Sequence, residues 1–142
     1  MGVIKEGAAG RNSRLFVYMR TEDLLYVDCT KPGGIEKLKR ALLKINVVRK
    51  YTNDGENFSI EVLEKCLHKI IFRYGYRIQW ITPYYEEADN KGFVMWSYSL
   101  VKKENGVNEW RGSISAKSLW EMVAKGLIQV YADIKRGEKN DK

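Results

Sequence analysis

One histidine, two cysteines and two prolines are all that this chain of 142 residues carries of those types. The scarcity excludes much chemistry. His68 alone, with Cys29 and Cys66 far apart in the chain, cannot assemble a tetrahedral zinc site. Set between Lys65 and Lys69 on a helical pattern, His68 reads as a surface residue rather than a general base. The two cysteines fall inside apolar segments, which suggests buried free thiols in a reducing, cytoplasmic compartment. There is no Gly-x-Ser-x-Gly elbow, no Gly-x-x-x-x-Gly-Lys loop and no Gly-x-Gly-x-x-Gly. No cofactor is implied. No apolar run approaches about 18 residues, so no membrane span is expected. Met1–Ser13 lacks the apolar core of a signal peptide.

What the chain does have is core-forming material and a lopsided charge. Apolar residues make up 44%, enough for one folded domain of this length. The net charge is +7, and most of the excess lies in Lys31–Lys50, where Lys31, Lys37, Lys39, Arg40, Lys44, Arg49 and Lys50 face Glu36 alone. Such clustering favours an anionic partner.

Residues 1–13, with three glycines, read as a loose basic arm, and 14–136 as a single domain. Leu15–Met19 and Leu24–Val27 are rich in strand formers and predict a hairpin. Thr30–Gly34 starts a helix over Ile35–Lys44, with Ile35, Leu38 and Leu42 on one side and Lys37, Arg40 and Lys44 on the other. Ile45–Tyr51 has strand composition, and Thr52–Asn57 is a loop. Ser59 caps a helix whose Ile60, Leu63, Leu67, Ile70, Ile71 and Tyr74 recur at three- and four-residue steps until Gly75 ends it.

Tyr76, Ile78 and Trp80 then alternate with Arg77 and Gln79 as a strand that Pro83 stops, leaving Tyr84–Gly92 as a polar loop. Phe93–Val101 and Trp110–Ile114 form a hairpin about Asn105-Gly106, a type I′ signature. A plain two-residue turn puts Arg111 on the face of Trp96 and Tyr98, whereas one bulge moves it. From Ser115 the repeat of Leu119, Val123, Leu127, Tyr131 and Ile134 predicts one long helix, with Ser118-Leu-Trp-Glu121 as a capping box. The alternative is a short helix ended by Gly126 and a strand over 127–134. Residues 137–142 form a charged tail. The fold class expected is α+β, an antiparallel sheet of hairpins packed against two to three amphipathic helices.

Flat rings and guanidiniums share the three strands. Tyr84, Tyr85 and Trp96 offer surfaces for a base, and Arg77 and Arg111 offer forks for phosphate. Trp110 lies beside them. Lys37, Arg40 and Lys44 could track a phosphate backbone. The blander alternative makes the tryptophans core and the arginines the wet side of the sheet. Glu86, Glu87 and Asp89 are the one carboxylate cluster, compatible with magnesium but matching no calcium loop. The order helix, three strands, helix over Ser59–Arg136 broadly resembles small α/β proteins of phages and mobile elements, and faintly the antitoxin fold in which three strands precede a helix. Neither resemblance carries a site.

The expectation is a non-enzymatic binding protein for an anionic ligand, a nucleotide or nucleic acid. The alternatives are a homodimeric protein-interaction or structural module, and a metal-dependent phosphoesterase using Glu86, Glu87 and Asp89.

Overall fold

The computed structural model describes residues 21–88 and 91–140, with residues 21, 22, 80–95, 97, 139 and 140 described by their backbone alone. Within that span the protein is an α+β fold. Helices α1 (Thr21–Leu25), α2 (Gly34–Leu42), α3 (Asn46–Tyr51) and α4 (Ile60–Tyr74) precede a three-stranded antiparallel meander, β1 (Tyr76–Ala88), β2 (Lys91–Glu104) and β3 (Val107–Ala116). Helix α5 (Leu119–Asn140) ends the described chain. No helix among the described residues is long and apolar enough to cross a membrane.

The clearest local signals form as their chemistry dictates. The Ser59 hydroxyl accepts from the Val62 amide at 3.4 Å, and Gly75 closes α4 at φ 77°, where a Cβ would be strained. Asn105 and Gly106 both take positive φ, 52° and 79°, as a type I′ turn requires. Helix α5 is continuous through Gly126. A Cβ there would meet the Tyr98 hydroxyl at 3.1 Å, so this glycine lets the helix lie close on the sheet. The Ser118 hydroxyl accepts from the Glu121 amide at 3.1 Å, but the Glu121 side chain turns inward, so only half of the expected box forms.

Several expectations are corrected. Leu24–Val27 is no strand: Leu24 and Leu25 end α1 and the chain then turns, while Leu15–Met19 lies outside the described residues, as does the arm. Ile45–Tyr51 is also helical from Asn46, because α3 buries Val48 against the core and tertiary packing outweighs β-branched composition. These two segments raise the described helices to five. Pro83 does not stop β1. The register shifts between Ile81 and Tyr84, so Pro83 sits in an irregularity where its missing N–H interrupts no ladder. Pairing resumes at Tyr84↔Met95 and runs to Ala88↔Lys91, so most of the expected polar loop is strand. The tail at 137–140 is still helix.

The core lies between α5, the inner face of the sheet and α2–α4, built from Leu38, Leu42, Leu63, Leu67, Tyr98 and Leu100 among others. Helix α5 is buried on every side from Glu121 to Val130. It carries four buried polar residues at steps of four: Glu121, Lys125, Gln129 and Asp133. Each has a partner. Lys125 donates to Glu121 at 2.6 Å and to the Val27 carbonyl at 2.7 Å, fastening the segment between α1 and α2 to the central helix. Gln129 accepts from the Tyr98 hydroxyl at 3.2 Å. Asp133 accepts from the Tyr76 hydroxyl and pairs with Arg136 at 3.1 Å. Burial, and then the Asp133 carboxylate, push the Tyr76 phenol well above its ordinary value.

Candidate functional site

Arg77 and Arg111 lie on opposite faces of the sheet. Val101 pairs with Trp110 and Leu100 with Gly112, which leaves Arg111 as the extra residue of a bulge. Its guanidinium turns to the helix side of the sheet. There it meets Glu104 and Glu109 at 2.8 Å each and Asp133 at 3.6 Å. Three carboxylates already occupy the fork that phosphate would need. Its Nε is buried and has no hydrogen-bond partner among the described residues.

Arg77 is exposed on the opposite, open face. It lies in register with Val101 and Trp110 across the sheet, two strand spacings or about 10 Å from the tryptophan backbone. Trp96 is half-buried against the core, and the Trp120 indole donates to the Phe58 carbonyl at 2.7 Å. Tyr84 and Tyr85 lie on β1 beyond the shift, with side chains outside the described set, as are those of Glu86, Glu87 and Asp89. Among the described residues no group of three or more His, Cys, Asp or Glu side chains could hold a metal ion. Arg40 on α2 and Lys44 in the turn after it are exposed, and Lys37 on α2 is half-buried.

Rings and cations do gather elsewhere, in an open groove of about 1130 Å³ between α3, α4 and α5. Its centre is Tyr51, the last residue of α3. The ammonium groups of Lys50, Lys65 and Lys69 lie 5.6, 5.1 and 5.5 Å from that ring's centroid, within cation–π range. None of the three enters an ion pair with a described carboxylate. Further along, Arg73 covers the Tyr74 ring at 5.4 Å and Lys135 covers Tyr131 at 5.4 Å. Phe72 lines the same groove and is 92% exposed.

The sequence held a signal for this wall. Lys65, Lys69 and Phe72 stand at i, i+4 and i+7, one stripe on the outer side of α4. Read from composition, the two lysines are only the flanks of His68, which itself lines the groove. Tyr51 is absent from that reading because its segment resembles a strand.

The thiols are not part of this site. Both cysteines are free. Burial, then the nearby Glu121 carboxylate, push the Cys29 thiol up to about 11, and burial raises that of Cys66. Neither is a thiolate at neutral pH. The chain matches no family model, no curated protein and no solved structure.

Proposed function

We propose that the protein is a non-enzymatic binding module for an anionic ligand, a nucleotide or nucleic acid, held in the groove between α3, α4 and α5. The observation that supports this is the gathering of Lys50, Lys65 and Lys69 on the Tyr51 ring. All three ammoniums lie within 5.6 Å of one ring centroid, a spacing comparable to the screening length of roughly 10 Å at 0.1 M salt, so each raises the potential felt by the others. A phosphate placed among them relieves that repulsion and gains charge-assisted hydrogen bonds. The excess positive charge of the whole chain adds long-range attraction. The free thiols fit a reducing, cytoplasmic setting.

A thermal-shift series with mononucleotides and short oligonucleotides tests the assignment, since a ligand selective for the folded state raises the melting temperature. Binding should weaken in Lys65→Ala/Lys69→Ala and fall with added salt. If that variant responds to every ligand as the parent does, the groove is not the site.

A homodimeric interaction module is a second reading, favoured by β3. It is an edge strand, and Val107 and Trp110 are each 65% exposed on it. Unpaired edges and exposed tryptophan are typical of association surfaces. Light scattering across a wide concentration range decides it: a monomer throughout removes the dimer.

A further inference from the structure

We propose that the groove takes a single strand of nucleic acid in preference to a free nucleotide or a duplex. The strand's backbone would follow the C-terminal half of α4, with a base lying against Phe72. This rests on the anion-binding reading above and specifies its ligand.

Size is the first argument. The groove follows α4 from Glu61 to Tyr74, which is about 20 Å at the helical rise. Its volume of about 1130 Å³ is above the range of about 300–1,000 Å³ usual for enclosed small-molecule pockets. A mononucleotide would leave much of it empty.

The order of charge is the second. Glu61 and Glu64 line the N-terminal end of the α4 wall, and no acidic residue of α4 follows them. Lys65, Lys69 and Arg73 come next at steps of four, each about 6 Å further along the axis. A row of cations at that pitch suits a ligand with repeated negative charges better than one with a single phosphate cluster. Lys50 faces the row from α3.

The third is the Phe72 ring, 92% exposed and three residues beyond Lys69. A large apolar ring held in water beside a cationic row offers a face on which an unpaired base can stack, whatever its identity. A duplex keeps its bases stacked on one another and cannot present one.

Fluorescence anisotropy with labelled eight-residue oligothymidylate and oligouridylate, competed by ATP and by a duplex of equal phosphate content, tests the proposal on the full chain. The strand should bind more tightly than either competitor, with affinity falling steeply as salt rises. Phe72→Ala should weaken strand binding about tenfold and leave the salt slope unchanged. Lys65→Ala/Lys69→Ala should weaken binding and flatten that slope. These side chains are exposed, and unchanged melting temperatures would show that both variants fold. If ATP or the duplex competes as well as the strand, or Phe72→Ala is neutral, the single-strand proposal is overturned. The anion-binding reading then survives only if the lysine variant still loses affinity. If no probe binds, both fail.

Discussion

Helices α4 and α5 break the same rule in opposite directions. Helix α5 carries charge and amide groups inward at Glu121, Lys125, Gln129 and Asp133, while α4 sends Phe72 almost fully into solvent. The difference lies in what answers each anomaly. Every inward polar group of α5 has a partner from the protein itself: the Val27 carbonyl, the Tyr98 and Tyr76 hydroxyls, and Arg111. None of the described residues covers Phe72, and no described carboxylate pairs with Lys65 or Lys69. Polar groups satisfied within the molecule are explained by the fold. An exposed ring beside cations that no described carboxylate neutralises is not, and this sets α4 apart as a recognition surface.

The comparison can be broken most forcefully at Lys125. Lys125→Met leaves Glu121 buried without its cation, and should cost about 3–5 kcal/mol in denaturant unfolding. Adding Glu121→Leu should restore most of that, because a well-packed apolar pair avoids the desolvation cost. A single variant as stable as the parent would mean that the pair is not structural. The close approach of α5 to the sheet is the next target. Gly112 takes φ 132°, and a Cβ there would come within 2.5 Å of the Gln129 amide nitrogen. Gly112→Ala should therefore destabilise by about 2 kcal/mol, read by the same unfolding curves.

On the other side of the comparison, Phe72→Ala should change stability by no more than about 0.5 kcal/mol, despite removing a large apolar side chain. A larger loss would show that Phe72 packs in the fold and would remove the reason to call it a recognition surface. The smallest effect is electrostatic. The Thr30 hydroxyl and amide donate to Asp28 at 2.6 and 2.9 Å, and with help from Lys117 they hold its carboxyl near 2, below the usual 3.8. A depressed folded value means that the stabilisation is complete above about pH 4 and lost as pH falls toward 2. Asp28→Asn should flatten that part of the acid-unfolding profile by lowering stability slightly at neutral pH while leaving it unchanged near pH 2. An unaltered acid limb would show that the contact contributes nothing in solution.

Local chemistry was legible in the chain and pairing was not. Ser59 and Gly75 bound α4 because cap residues act on their own backbone, and Asn105-Gly106 sets its turn for the same reason. Pro83 misleads because a ladder irregularity belongs to two strands at once. Gly126 left helix and strand both open for residues 127–134, since its purpose is a contact with Tyr98, distant in sequence. The groove was hidden by one misread segment. With Ile45–Tyr51 taken as a strand, nothing in the sequence brings Tyr51 beside Lys65 and Lys69. Arg111 shows the converse limit. Its type suits phosphate, but it stands on the core side of the sheet with Tyr98 and Leu100, beside Asp133 and on the face opposite Arg77.

The order in which the elements leave the ribosome gives α5 a further significance. It follows every other described element in the chain, yet it covers the inner face of the sheet and receives the Val27 carbonyl through Lys125. Until residues 119–140 emerge, Tyr98 and Leu100 lack their covering helix and the α1–α2 connection lacks its anchor. Closure of this fold on the nascent polypeptide thus waits on residues 119–140, and a chain halted before Leu119 would present a sticky, unfinished sheet to the chaperones around it.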